Sequence, residues 1–194
     1  MVNLQAVVGS VTPPGRLLRA TQWLLDNAQA THQGVVDAQL VNLADQRIAF
    51  ADGRPPEQYG DDTAALVEKV RRAHALIIAS PVYRGSITGA LKNLLDHLPL
   101  DSLAAKPVGI IAMGATHHHF LGADWHLRDI LAWFGAIVVP TSVYLVSADF
   151  VEGELAESAR QDLTDLAEAL IKLAGVAPGP GKYLGPRPLA GRRN

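Results

Sequence analysis

Short apolar runs alternate with longer amphipathic stretches along the whole chain. The apolar runs have the length of buried strands and cover about residues 4–8, 35–43, 75–79, 108–113 and 138–145, the last of them interrupted by Pro140. Between the runs, apolar residues recur every three or four positions, as in a helix that buries one face. Strands that alternate with helices predict a parallel sheet with helices on both of its faces.

Five helices are predicted between and after these strands. They begin near residues 17, 61, 86–88, 120 and 155, and they end near residues 28, 73, 99, 134 and 173. Residues 44–60 are polar and contain Gly53, Pro55 and Pro56, so we expect a long surface loop there. Residues 175–194 are rich in glycine and proline and have no apolar period, which is typical of a flexible tail.

The stretch 75–92 is the centre of the prediction. A buried strand ends at Ser80-Pro81, and the loop Pro81-Val82-Tyr83-Arg84-Gly85 leads into a helix. In an open parallel sheet such a loop lies at the carboxyl edge, where these folds bind ligands. An ordinary strand-to-helix turn is the alternative, but adjacent Tyr and Arg side chains favour contact with a ligand.

Residues 9–16 form a second loop of this kind, directly before the first helix. Residues 114–119 form a third, and parallel strands place all three loops at one edge of the sheet. Free amides and the helix dipole favour an anion at such a helix start, and phosphate is the usual anion. Ser10 and Thr12 offer hydroxyls, Gly15 allows a close backbone approach, and Arg16 can add a charged contact. The alternative is a plain turn with a surface arginine.

Composition narrows the function classes. The chain has 194 residues, of which 48% are hydrophobic and 19% charged, as in one globular domain. A net charge of −2 gives no electrostatic case for nucleic acid or an anionic membrane. The absence of cysteine excludes disulfides, thiolate nucleophiles and cysteine-based metal sites. The beginning of the sequence shows no signal peptide and no transmembrane run, so we expect a cytoplasmic protein.

Several familiar motifs are missing. The sequence has no G-x-G-x-x-G, no P-loop, no G-x-S-x-G and no H-E-x-x-H. His117-His118-His119 could indicate a metal, but adjacent residues do not share a helix face and no carboxylate lies at ligand spacing. A polar loop near a ligand is therefore favoured, and we predict no metal site.

Three segments together carry a resemblance to a known family. They are Gly9-Ser10 with Arg16, the stretch from Ser80 to Arg84 with Thr88 to Asp96, and Gly114-Ala115-Thr116 followed by Asp124. Over about residues 3–173 the chain resembles the NADPH-dependent FMN reductases, above all those that supply reduced flavin to alkanesulfonate-type monooxygenases. The resemblance implies a flavodoxin-like three-layer α/β/α domain over residues 1–174 with a five-stranded parallel sheet of order 2-1-3-4-5, followed by the tail 175–194.

The resemblance also implies a role for each loop. The FMN phosphate would be held by Ser10, Thr12, Gly15, Arg16 and the amide of Leu17. The isoalloxazine ring would be lined by Pro81, Val82, Tyr83 and Arg84, and its pyrimidine end would meet Gly114, Ala115 and Thr116. Hydride would pass from NADPH or NADH to FMN without a side chain acting as acid or base, so no catalytic residue is assigned.

Two departures lead to further expectations. Relatives have a Ser-rich phosphate loop, whereas here Gly15, Leu17 and Leu18 follow Pro14, so we expect FMN to be a released substrate. Trp125 falls off the apolar stripe of its helix, and family members assemble near this helix, which implies a homotetramer with the tail on a neighbouring subunit. The alternatives are a quinone or azo reductase that keeps FMN bound and a non-enzymatic flavin-binding electron carrier. The net charge of −2 argues against the carrier.

Overall fold

The protein is an alternating series of strands and helices. The structure, a computed structural model, describes residues 1–187, without the side chains of residues 119–121. The strands are β1 (Val2–Val8), β2 (Val36–Asn42), β3 (Ala75–Pro81), β4 (Pro107–Met113), β5 (Ile137–Val138), β6 (Val143–Leu145), β7 (Phe150–Val151) and β8 (Glu154–Leu155). The helices are α1 (Arg16–Thr31), α2 (Thr63–Arg72), α3 (Gly89–His97), α4 (Phe120–Trp133) and α5 (Glu157–Val176).

The main sheet is parallel, with the order β2-β1-β3-β4-β5. This order confirms the one expected from the resemblance. In the centre of the sheet, Val7 pairs with Val41 on one side and with Ile78 on the other. All these strands therefore end at one edge, which carries the loops that the sequence singled out.

The last strand position is divided at Pro140. β5 pairs with the beginning of β4 and β6 pairs with its end, because proline has no N–H to donate to a ladder. Arg128 of α4 supplies a hydrogen-bond donor at this break in the strand. Its Nη2 donates to the carbonyls of Val139, at 3.2 Å, and of Pro140, at 2.9 Å. The same guanidinium donates from Nε to buried Asp124, at 2.8 Å, which fixes its orientation.

Two hydrophobic cores lie on the two faces of the sheet. Helices α1 and α5 cover one face, and α2, α3 and α4 cover the other. The predicted inner stripes are confirmed, since Leu163, Leu166 and Leu170 of α5 are buried, as are Leu127 and Leu131 of α4. The fold has three layers because each face of the sheet is covered by helices that bury their apolar side against it. Among the described helices, none is both long enough and apolar enough to cross a membrane.

Two details differ from the sequence-based picture: the end of helix α5 and a short hairpin. Helix α5 continues through Val176, so the first two residues of the expected tail are helical. The helix ends where Ala177 takes an extended ψ of 150° before Pro178, since a residue before proline is disfavoured from the helical region. Residues 188–194 of that tail lie outside the described residues. The long loop 44–60 is present, and the β7–β8 hairpin was not predicted.

A buried lysine lies at the opposite edge of the sheet from the site loops. Lys106 is 2% exposed, and its Nζ donates to the carbonyls of Val70 and Arg71 at the end of α2. An ammonium at a helix C-terminus stabilises the carbonyls that have no partner within the helix. Burial lowers the pKa of Lys106 to about 8, with help from the charge of Arg71 and against that of Asp101.

Candidate functional site

Three loops meet at the carboxyl edge of the sheet, as predicted. They follow β1, β3 and β4, three neighbouring strands. The N–H of Val82 donates to the carbonyl of Met113, at 2.8 Å, which joins the second loop to the third. The N–H of Gly9 donates to the carbonyl of Ala79, at 2.7 Å, which joins the first loop to the end of β3.

Thr88 locks the first two loops to helix α3. Its hydroxyl donates to the carbonyl of Gly9 and accepts from the N–H of Leu91, at 3.1 Å, as the N-cap of α3. Its own N–H donates to Ser80 Oγ, at 3.3 Å. A Cβ on Gly9 would lie 2.8 Å from Leu91 Cβ, so this close approach of β1 to α3 requires glycine.

The first loop offers donors to an anion. Gly15 is the N-cap of α1 and supplies no side-chain cap, so the amides of the first turn have no side-chain acceptor. Ser10 Oγ and Thr12 Oγ1 are hydrogen-bonded at 2.8 Å, and the N–H of Thr12 donates to Ser10 Oγ. Arg16 is exposed on the first residue of the helix. This arrangement suits a phosphate, through the helix dipole and the guanidinium together.

A cavity of about 270 Å³ joins this loop to the second one. Seven of the predicted residues line it, namely Ser10, Thr12, Gly15, Arg16, Leu17, Pro81 and Tyr83. The sequence reasoning missed Pro13, Pro14, Leu18, Asn42 and Met113, which also line it. Asn42 was within reach of that reasoning, because it ends β2 next to β1. The predicted residues Val82, Arg84, Gly114, Ala115 and Thr116 lie outside this lining.

The second loop closes on itself in a tight turn. Tyr83 and Ser86 exchange backbone hydrogen bonds at 2.8 and 3.0 Å, and both Arg84 and Gly85 have positive φ, at 52° and 75°. This is the pattern of a type I′ turn, with Arg84 at its exposed tip. Tyr83 is 46% exposed, so an aromatic face remains available at the cavity.

Helix α4 supports that turn from the side. A Cβ on Gly122 would overlap the carbonyl oxygen of Gly85, so the helix backbone rests directly against the turn. One turn further along α4, a hydrogen bond of 2.7 Å joins His126 Nδ1 to Ser86 Oγ. The position of the Tyr83–Ser86 turn therefore depends on α4.

The third loop is held by Tyr144 of β6. The Tyr144 hydroxyl donates to the carbonyl of Thr116, at 2.8 Å, and burial raises the pKa of Tyr144, so the donor stays protonated. A Cβ on Gly114 would overlap that hydroxyl oxygen. The N–H of Gly114 donates to the carbonyl of Leu145, at 3.0 Å. Gly114 and Tyr144 therefore fit each other, and together they fix the backbone of residues 114–116.

These residues fit the group that the resemblance implies. The uncapped start of α1 and Arg16 suit the phosphate of FMN, while Pro81, Tyr83 and Met113 give an apolar and aromatic wall for its ring. His117 and His118 lie in a short turn before α4 and are exposed. Within residues 1–187, with three side chains not described, no three His, Asp or Glu side chains form a group that could hold a metal ion.

Comparison with known proteins gives consistent matches. A family model described as NADPH-dependent FMN reductase matches residues 2–151. An NAD(P)H-dependent FAD/FMN reductase of Geobacillus thermodenitrificans is 41% identical over 117 residues, covering 60% of this chain and 63% of that protein. The NADH-dependent FMN reductase SfnF of Pseudomonas fluorescens is 31% identical over 187 residues, 95% of each chain. The apo crystal structure of the NADH:FMN oxidoreductase EMOB matches with a TM-score of 0.80 at 22% identity, covering 99% of this chain and 100% of that chain.

Proposed function

We propose that this chain, which belongs to the NADPH-dependent FMN reductase family and is an NAD(P)H:FMN oxidoreductase, binds FMN as a substrate and releases it reduced. The observation that carries the proposal is that one continuous cavity joins the uncapped start of α1 to the aromatic Tyr83 loop. The released reduced flavin would serve a partner flavin-dependent monooxygenase. A cytoplasmic location, expected from the sequence, is part of the same proposal.

In this proposal the residues of the chain bind FMN and orient it. The first-turn amides of α1 and the Arg16 guanidinium would hold the phosphate, and Pro81 and Tyr83 of the cavity lining would place the ring. The backbone of residues 114–116, which Tyr144 fixes, would meet the polar end of the ring. When bound, FMN accepts a hydride from NADPH or NADH. No side chain has to move a proton for that transfer, so the site needs no acid or base.

We expect FMN to be released because the phosphate loop has few hydrogen-bond donors. Pro13 and Pro14 have no N–H, and the hydrogen bond of 2.8 Å between the hydroxyls of Ser10 and Thr12 uses one of their two hydrogens. A hydrogen bond to a charged group is worth ~1.5–3 kcal/mol, so each missing one weakens binding by about tenfold or more. A loop with few donors therefore binds FMN weakly enough to let it leave.

The flavin content of the purified protein tests this proposal. We expect a largely colourless protein that oxidises NAD(P)H only when FMN is added. A stoichiometric yellow protein that turns over without added flavin would favour the rival quinone or azo reductase with retained FMN. A protein that binds FMN but oxidises no NAD(P)H would favour the non-enzymatic electron carrier.

The phosphate anchor is tested by Arg16→Ala. This variant should raise the KM for FMN by about tenfold and leave the KM for riboflavin unchanged, because riboflavin lacks the phosphate. Arg19→Ala is the matched control, since Arg19 is an exposed arginine of the same helix outside the cavity lining. Equal effects of Arg16→Ala on both flavins would remove Arg16 from the site.

We also propose a homotetramer that assembles through α4. Trp125 and Trp133 of this helix are 59% and 51% exposed, and an apolar cavity of about 520 Å³ lies between α3 and α4. A large aromatic is a common anchor at an interface. Because α4 also supports the Tyr83–Ser86 turn, Trp125→Ala should loosen assembly and change the KM for FMN together.

Sedimentation of the wild type and two variants tests the assembly. Trp125→Ala should shift the wild-type tetramer to smaller species, and deletion of residues 178–194 should weaken association without lowering the unfolding temperature of the domain. A wild type that is monomeric at micromolar concentration would contradict the proposal. So would a Trp125→Ala protein with unchanged assembly and unchanged flavin kinetics.

A further inference from the structure

The β7–β8 hairpin brings an aromatic ring to the phosphate end of the cavity. Phe150 of β7 is partly buried and packs against the core beneath α1 and α5. Asp149, next to it, holds the segment: its carboxylate accepts from the N–H of Val146, at 2.7 Å, and its carbonyl accepts from the N–H of Ala156, at 2.8 Å. The ring of Phe150 is therefore part of a fixed segment.

Arg16 rests on this ring. Its Cζ lies 5.5 Å from the centroid of Phe150, within the distance of a cation–π contact. Within residues 1–187, Arg16 forms no ion pair, so Phe150 is its charge-stabilising neighbour. A contact through the ring face does not consume the guanidinium donors, and these remain available to an anion.

We propose that Phe150 is a positioning residue that increases, through Arg16, the preference of the site for phosphorylated flavins. It keeps the Arg16 guanidinium beside the first turn of α1, where the phosphate of FMN binds. A free arginine side chain loses much rotamer entropy when it is fixed, and an arginine already held on a ring loses less. The ring therefore strengthens FMN binding and leaves riboflavin binding unchanged. This inference rests on the proposed function.

Packing alone would give a different result. If Phe150 only filled space under α1, its replacement would loosen the start of the helix and weaken the binding of FMN and riboflavin alike. Phe150→Leu keeps an apolar side chain in the core and removes the ring, whereas Phe150→Tyr keeps the ring. Comparing the two variants therefore distinguishes an effect of the aromatic ring from an effect of side-chain volume.

Fluorescence titration of FMN and of riboflavin, without nicotinamide, is the test. Phe150→Leu should weaken FMN binding by about two- to fivefold, the range of an exposed cation–π contact, and leave riboflavin unchanged. Phe150→Tyr should restore wild-type FMN affinity. In an Arg16→Ala background, Phe150→Leu should have no further effect on FMN, because the ring acts through the arginine.

The outcomes separate this inference from the proposed function. Three results would each overturn the role of Phe150. Phe150→Leu could weaken the binding of FMN and of riboflavin equally, or it could weaken FMN binding as much in the Arg16→Ala background as in the wild type. The wild type could also bind FMN and riboflavin with the same affinity. Failure of the wild type to oxidise NAD(P)H with FMN would refute the proposed function. The binding titrations involve no turnover, so they decide the role of Phe150 in either case.

Discussion

Replacing Thr88 by valine should destabilise the protein and weaken flavin binding together. Thr88 is 3% exposed, and its hydroxyl both caps α3 and donates to the carbonyl of Gly9. Valine has nearly the same shape but no hydroxyl, so it removes these two hydrogen bonds without leaving a cavity. The backbone N–H at position 88 can still donate to Ser80 Oγ.

The magnitude follows from the two bonds. Loss of a side-chain N-cap costs ~0.5–2 kcal/mol, and a buried carbonyl left without its donor costs ~1–3 kcal/mol. The two losses share one atom, so we expect a decrease of about 2 to 4 kcal/mol in the free energy of unfolding. For a domain of this size that corresponds to a fall in Tm of about 5 to 15 °C.

Urea unfolding and FMN titration are the two assays, and Thr88→Ser is the matched control because it keeps the hydroxyl. Thr88→Ser should stay close to the wild type in both assays. Thr88→Val should also raise the Kd for FMN, since Gly9 and Ser80 belong to the first two site loops. A Thr88→Val protein as stable as the wild type, or a Thr88→Ser protein as unstable as Thr88→Val, would refute the reasoning.

Two more predictions concern other parts of the molecule. The pKa of Lys106 is lowered from 10.5 to about 8 in the fold, so the unfolded chain binds more protons between these pH values and the wild type gains stability as pH rises through that window. Relative to Lys106→Met, the wild type should gain about 2 to 3 kcal/mol from pH 8 to pH 10.5, measured by urea unfolding, and a difference that is constant with pH would contradict this. Gly114→Ala should weaken FMN binding because its Cβ overlaps the Tyr144 hydroxyl, and Gly114→Ala with Tyr144→Phe should recover part of the loss in the same titration. Binding that is unchanged in Gly114→Ala would exclude that loop from the site.

Much of the fold could be predicted because the relevant signals are local. Apolar runs and helical stripes gave the strands and helices, and the carboxyl ends of parallel strands always share an edge. That rule alone predicts that residues 9–16, 80–86 and 114–119 lie at one edge. The hydrogen bonds from Gly9 to Ala79 and from Val82 to Met113 confirm it. The roles of these residues toward FMN stay predictions.

Other features depend on contacts between residues far apart in the sequence. Nothing near Arg16 indicates that Phe150 will lie beside it, because the position of the β7–β8 hairpin is set by packing on the core. The hairpin turns at Glu152-Gly153, which have φ of 52° and 90°. Gly153 was the local signal for a turn, but it could not indicate which residue Phe150 would contact. Arg84 lies outside the cavity lining because the turn places it at the tip, which its residue type could not indicate.

The divided strand at Pro140 has a consequence for how the chain behaves among its copies. A sheet edge with free N–H and carbonyl groups is a template for a strand of another molecule, and unprotected edges lead to aggregation. Here Pro140 has no N–H to offer, and Arg128 already donates to its carbonyl. An added strand would find no free backbone donor at Pro140 and an acceptor already in use, which disfavours growth of the sheet at its β5–β6 edge.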